Sequence, residues 1–319
     1  MKLDVKDLKI LKELDVDPRI QTTKLAKKVR LSQQVVDYRI KKLVEQGIIT
    51  SFGSVFNFSK IDYSQYRILF TFGSVDEVKR NAVIEHLKND NNVFWISSVG
   101  SKWDLFVIIF VNNYDMFENF LDELFNKFPK VLSDYDALYV PYHEFYRHKF
   151  LNEKNTQAIS INFSDKANIE LDDIDKNILK QVKNNCRVSS LEVGNKCDVS
   201  YKTVQNRIKK LEENKFIVGY RLFLNSEQLG YSAYLILFPF TSYGRGEEKK
   251  LFSYARQHKL ITQVSKLFGG WSLLFHIRTK TRRELQELLI EMRNFHPSLG
   301  QPEIIPVFDN FKVKNMPVI

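Results

Sequence analysis

Apolar residues in the stretch Leu31–Ile49, LSQQVVDYRIKKLVEQGII, recur with helical spacing: Val36, Ile40 and Leu43 stand at i, i+4 and i+7 and predict one buried stripe. The stretch returns 168 residues later as Val199–Ile217, VSYKTVQNRIKKLEENKFI, with Val204, Ile208 and Leu211 in the same places. Ser32 and Ser200 precede the stripes as N-caps, whose hydroxyl oxygens can accept from the free N–H groups of a first helical turn. The opposite face carries Gln34, Asp37, Tyr38 and Lys41 in one copy, and Lys202, Gln205, Asn206 and Lys209 in the other. A repeat at so long a period marks a duplicated domain, not a solenoid.

The surrounding pattern extends the repeat in both directions. Leu3–Asp15, with Asp4 at the cap position and Leu8, Ile10, Leu11 and Leu14 apolar, predicts a first helix that Asp17-Pro18 ends. Thr22–Val29 predicts a short second helix, a tight turn follows, and Gln33–Gln46 is the third: a helix-turn-helix, with a wing strand at Ile48–Phe56. Residues 171–217 repeat this without a gap, 17 of 47 positions being identical. After each copy the pattern reads strand, helix, two strands, helix, strand, which gives a four-stranded antiparallel sheet with two helices on one face. In the first half these are Tyr66–Phe72, Val75–Lys88, Val93–Val99, Trp103–Val111, Asp115–Phe128 and Val131–Val140. In the second they are Tyr234–Phe240, Gly246–His258, Ile261–Phe268, Trp271–Arg278, Thr281–Phe295 and Glu303–Phe308. The fold class expected is α+β, with boundaries at 1–60 (winged helix-turn-helix), 61–141 (ferredoxin-like), 142–170 (linker, with a possible edge strand at Ile159–Phe163), 171–228 and 229–319.

Charge sharpens this picture. The net charge is +10, and residues 1–50 hold 12 Lys/Arg against 7 Asp/Glu while residues 171–220 hold 10 against 7. Eight of the ten excess charges thus lie on the two helical repeats, which points to a polyanionic partner. The longest apolar run, Ala233–Phe240, has the length of a strand, far short of a bilayer span. The N-terminus lacks the apolar core of a signal peptide, and the two cysteines, Cys186 and Cys197, read as small core residues of a reducing compartment. A cytoplasmic, DNA-associated protein is expected. The six histidines show no spacing suited to a metal and read as surface residues, and no phosphate loop or nucleophile elbow occurs; no catalytic residue, metal or cofactor is expected.

On these helices amide and ammonium groups suit purine edges in a major groove, so Gln34, Tyr38, Lys202, Gln205 and Asn206 are the candidates for base contacts. Arg39, Lys41, Lys42, Arg207, Lys209 and Lys210 are the candidates for phosphates, which position a protein without specifying sequence. Ser32, Gln33, Ser200 and Tyr201 complete the set at the helix starts, and Asp37 is expected to pair with Lys41.

The pattern L-D-x-x-D-x-x-I-L, then Arg19 or Arg187, then S-x-x-x-V-x-x-R-I-x-x-L resembles the DNA-binding half of the Lrp/AsnC, or feast/famine, family of transcriptional regulators. Both copies depart from it at the turn: the usual glycine is Arg30 and Asp198, and the glycine before the closing apolar pair survives as Gly47 but becomes Lys215. The resemblance spans nearly the whole chain, twice. It implies that the ferredoxin-like modules are sensing and assembly (RAM-type) domains that pair, here within one chain, with homodimers or higher oligomers forming through the same domains. It also implies double-stranded DNA as partner and a small amino-acid-like effector at the turn Gly100, Ser101, Asp104, where a glycine turn could receive a carboxylate and Asp104 an ammonium group. An ordinary hairpin with a capping Asp accounts for the same residues. In the second copy the carboxylate has become Ser272, which argues against an amino-acid site there. Two other readings stand beside the regulator: an architectural DNA-bridging protein without effector, and a tetrapyrrole enzyme. Siroheme decarboxylases also resemble this family, occur as paired or fused homologues, and have a stretch similar to Gly53–Asn57 with Ser59-Lys60.

Overall fold

The computed structural model describes residues 3–153, 155–241 and 245–313; the last six residues of the second expected module, 314–319, lie outside the described residues. Helices α1 (Val5–Val16), α2 (Thr22–Val29) and α3 (Gln33–Glu45) lead into the wing β1 (Ile49–Phe56). Their counterparts are α6 (Asp173–Val182), α7 (Ser190–Cys197), α8 (Tyr201–Glu213) and β7 (Ile217–Leu224). Val36, Leu43, Val204 and Leu211 are buried as the periodicity predicts, whereas Leu8 is 44% exposed on the outer side of α1. Cys186 is buried and Cys197 partly so, both free.

The turns that depart from the family pattern keep its backbone. Arg30 (φ 58°), Asp198 (φ 55°) and Lys215 (φ 58°) all take the left-handed conformation that Gly47 (φ 69°) takes without strain. The C-cap hydrogen bonds of α2 and α7 form around Arg30 and Asp198, so the helix-turn-helix geometry is retained at a local conformational cost.

The two wings pair antiparallel from Ile49 opposite Leu224 to Phe56 opposite Ile217, with Gly53 facing Arg221. Gly53 and Arg221 are the same position of the repeat, so a pseudo-two-fold axis passes between them. The wing also grips the opposite helical domain: Ser54 N–H donates to Lys183 O (3.1 Å), and Cys186 N–H donates to Phe52 O (2.7 Å).

The ferredoxin-like modules comprise β2 (Ser64–Phe72), α4 (Glu77–Asn89), β3 (Val93–Val99), β4 (Leu105–Val111), α5 (Tyr114–Lys127) and β5 (Leu132–Tyr146), then β6 (Ala158–Asn162). The second copy has β8 (Ser232–Phe238), α9 (Arg245–Gln257), β9 (Ile261–Phe268), β10 (Leu273–Thr279), α10 (Arg282–Phe295) and β11 (Glu303–Val313). Their strands form one closed ring, β2-β4-β3-β11-β8-β10-β9-β5, returning to β2, with β6 added beside β5. Closure comes from two long strands. β5 pairs with β2 of its own module as far as Val140 and, from Tyr139 on, with β9 of the other; β11 pairs with β8 and then with β3. Tyr142–Tyr146, expected in the linker, is therefore strand: Pro141 marks the change of partner in β5, not its end. Helices α4 and α5 cover one outer face with a core around Val83, Leu87 and Phe120, and α9 and α10 cover the other around Leu251, Leu288 and Met292. The inner faces meet in a third core with Phe56 and Phe216 from below.

Candidate nucleic-acid interface and central cavity

Both recognition helices present their polar faces to solvent. Gln33, Gln34, Lys42, Lys202, Gln205, Asn206 and Lys210 are exposed; Tyr38 is 65% and Tyr201 53% exposed. Ser32 Oγ accepts from Val35 N–H and Ser200 Oγ from Thr203 N–H, fixing the first turns. Lys41 and Lys209 each lie 3.7 Å from a glutamate one turn on, Glu45 and Glu213. Lys41 thus turns to Glu45 and not to the expected partner Asp37.

Two candidates have another task. Arg39 Nη1 donates to the Asp4 and Asp7 carboxylates at 2.7 Å each. Arg207 Nη1 donates to Asp172 (2.6 Å) and Asp175 (3.3 Å). The carboxyls of Asp4 and Asp172 accept backbone N–H bonds at the helix start, and these bonds together with the guanidiniums hold them below the usual carboxylate range. Arg39 and Arg207, expected at phosphates, clamp the recognition helix to the first helix of each domain through the carboxylates of the L-D-x-x-D motif.

The effector turn is likewise engaged within the chain. Gly100 N–H donates to Pro306 O (2.9 Å), and Ser101 Oγ donates to Glu303 (3.1 Å). Asp104 Oδ2 accepts Phe72 N–H (2.7 Å). A Cβ at Gly100 would stand 3.1 Å from the Phe308 ring, which packs over the turn. In the second copy Ser272 Oγ accepts from Phe240 N–H, the counterpart of Phe72, so Asp104 and Ser272 do the same capping work. At Gly100, Ser101 and Asp104, where an effector is expected, β11 and the capped strand thus engage the polar groups.

What the sequence pattern did not reveal lies inside the ring. The inner faces and the wing pair line a cavity of about 170 Å³. One wall is cationic. Arg67 is fully buried, His143 is 2% exposed, and Arg221, His276 and Arg278 lie deep in the molecule with part of their surface facing the cavity. Arg67 Nη1 is 3.1 Å from His276 Nε2. Among the described residues, Arg67 Nε and Nη2, Arg221 Nε and both ring nitrogens of His143 have no partner. Burial lowers Arg67 to about 9 and Arg221 and Arg278 to about 10; it holds both histidines well below their usual value, and the neighbouring arginines add to this. Among the described residues no carboxylate lines the cavity. Aromatic rings complete the lining: Phe56, Phe94, Trp95 and Phe110, with Phe145 packed on Arg221 and His143 and Phe163 on His143.

The asymmetry is built by divergence of the two copies. At the positions equivalent to His276, Arg278, Gln263 and Arg221 the first copy has Ile108, Phe110, Trp95 and Gly53, and Arg67 corresponds to Leu235. A signal was present: His276 and Arg278 are two apart in an otherwise apolar strand, hence on one face, and Arg67 stands alone among apolar residues within QYRILF. Assigning all six histidines to the surface concealed it: His143, His148 and His296 are buried and His276 is half-buried.

Two exposed recognition helices on paired wings, carried by a closed pair of ferredoxin-like modules, define a duplicated winged helix-turn-helix protein. The winged helix-turn-helix DNA-binding family model matches residues 3–50 and again 171–218. An uncharacterised HTH-type transcriptional regulator of Pyrococcus abyssi is 40% identical over 122 residues, 37% of this chain and 80% of that protein. The HTH-type transcriptional regulator FL11 of Pyrococcus horikoshii is 28% identical over 121 residues, 38% of this chain and 79% of that one. Among solved structures, the siroheme decarboxylase NirDL covers 98% of this chain and 94% of its own at a TM-score of 0.66 and 15% identity, a likeness of fold. The chain belongs to the Lrp/AsnC family of DNA-binding transcriptional regulators, with the family unit present twice in tandem. No described helix is long and apolar enough to cross a membrane.

Proposed function

We propose that the chain acts as a single-chain pseudo-dimer that binds a specific, asymmetric DNA site with both recognition helices. The observation that carries this is the wing pair: its pseudo-two-fold axis at Gly53 and Arg221 relates two solvent-facing recognition helices within one chain. Gln34 and Tyr38 read one half-site, and Lys202, Gln205 and Asn206 read an unlike second one. Lys41, Lys42, Lys209 and Lys210 bind phosphates, aided by the exposed starts of both helices. Half-sites lie about 10 bp apart or a multiple of it. Because the crossing strands β5 and β11 unite the modules intramolecularly, one chain is the DNA-binding unit, and further assembly uses the outer surface.

Fluorescence anisotropy on a duplex from the upstream region of the gene and on a scrambled duplex, at several salt concentrations, tests this. A steep salt dependence with a preference on the order of a thousandfold supports the specific regulator. A steep dependence without preference makes the protein architectural. No binding at low salt removes both readings.

A second reading is favoured by the cavity. A pocket with three arginines, three histidines and many aromatic rings suits a carboxylated tetrapyrrole, and the similarly folded NirDL is a siroheme decarboxylase also known in complex with an iron-uroporphyrin III analogue. In this reading Arg67, Arg221 and Arg278 would hold substrate carboxylates and the neutral histidines would face the reacting group. Absorbance titration with an iron uroporphyrin, followed by assay of released carbon dioxide, decides it; binding without carbon dioxide release leaves the protein a non-enzyme.

A further inference from the structure

Arg278 donates to Ser226 Oγ and Ile277 O and Arg221 to Tyr146 O, but Arg67 Nε and Nη2 and Arg221 Nε keep no partner among the described residues, and no carboxylate among them lines the cavity. Three guanidiniums converge on one space without a lining carboxylate among those residues, and buried charge of one sign is costly unless it is paired. The glutamate nearest in sequence, Glu144, is turned the other way, bound by Arg256, Tyr142 and Tyr146. Asp15 is engaged with His148 at 2.7 Å. Polar atoms of Arg67 and His143, both more than nine-tenths buried, have no partner among the described residues and line the space. Much of the remaining lining is ring surface, which binds a flat apolar body. The divergence of the copies fits one guest per chain: two symmetric sets of these arginines would crowd six cations around one axis.

The same cavity has the wings as its floor. Ser54, Val55 and Phe56 of β1 and Arg221, Phe223 and Leu224 of β7 line it. Each wing begins within four residues of the end of a recognition helix, α3 at Glu45 and α8 at Glu213. A guest bridging floor and wall therefore stiffens the element that sets the relative position of the two helices.

We infer that the cavity is an effector site for a flat aromatic polycarboxylate, one per chain, and that its occupancy tightens DNA binding. The binding half is independent of the regulator reading; only the DNA half rests on it. The probe is benzene-1,3,5-tricarboxylate, a flat tricarboxylate sized to a cavity of about 170 Å³, followed by isothermal titration on the full chain, with its uncharged trimethyl ester as control. Saturable one-to-one binding is expected, with no binding of the ester. Arg67→Met and Arg278→Met should each weaken it at least about tenfold, a loss of roughly 1.4 kcal/mol or more, and Arg67→Lys should retain part of it. Both Met variants should melt no lower than the wild type, and saturating probe should raise the melting temperature of the wild type alone. Equal binding to wild type and variants, preference for the ester, or no binding by the wild type would overturn the site. DNA affinity that does not rise with saturating probe, while the probe binds, would overturn the coupling. Failure to bind DNA at all would overturn the regulator and the coupling together and leave the titration to judge the site.

Discussion

Arg67→Met should stabilise the free protein. The side chain is fully buried, and its Nε and Nη2 have no partner among the described residues. Burial lowers it from 12.5 to about 9, which corresponds to a penalty of about 5 kcal/mol on keeping it charged in the fold at neutral pH. Against this stands the contact of Nη1 with His276 Nε2 at 3.1 Å, of the kind that contributes about 1.5–3 kcal/mol when one partner is charged. Methionine fills nearly the same length without charge. The net expectation is a gain of about 2–3 kcal/mol, or roughly 5 °C in melting temperature. The pH dependence identifies the cause. A cation whose folded value is depressed destabilises fully below the folded value, and the deficit is relieved as pH rises from about 9 toward 12.5, where the folded state releases its proton before the unfolded chain does. Urea midpoints at pH 7 and pH 10 should therefore show the advantage of the variant shrinking at the higher pH. A variant equally or less stable at pH 7 would refute the uncompensated charge and make Arg67 a packing residue.

Two further outcomes follow from the helical domains. Arg30→Gly and Lys215→Gly should each stabilise by about 0.5–1 kcal/mol, because their positive φ is strained for a side chain but not for glycine. Asp198→Gly should gain less, since aspartate tolerates that region; thermal melts of the three variants rank them. Lys41→Gln with Lys42→Gln should flatten the salt dependence of DNA binding by about 0.9 for each phosphate no longer neutralised. Arg39→Met should lower thermal stability and leave that slope unchanged, because its guanidinium is held by Asp4 and Asp7; a reduced slope would return Arg39 to the phosphate set.

The helical domains were legible because their signals are local. Caps at Ser32 and Ser200, stripes at i, i+4 and i+7, and charge on the opposite face depend on neighbours within one helix, so a single sequence contains them. The ferredoxin-like modules were legible by strand alternation and by repetition at 168 residues. The roles of individual polar residues were not. Arg39 reads as a phosphate ligand until Asp4 and Asp7 are seen beside it, and Asp104 reads as an effector ligand until the Phe72 N–H it caps is in view. A linker from Tyr142 was the wrong expectation because Pro141 changes β5's partner and does not end the strand.

By itself, then, the sequence determined two helix-turn-helix units with basic faces and two ferredoxin-like modules, since periodicity, caps and charge are properties of short stretches. The closed ring, the paired wings and the cavity were decided only by tertiary structure. Arg67, His143, Arg221, His276 and Arg278 come from four strands, β2, β5, β7 and β10, far apart in the chain. No local pattern records that pairing strands across a pseudo-two-fold axis turns them toward one space.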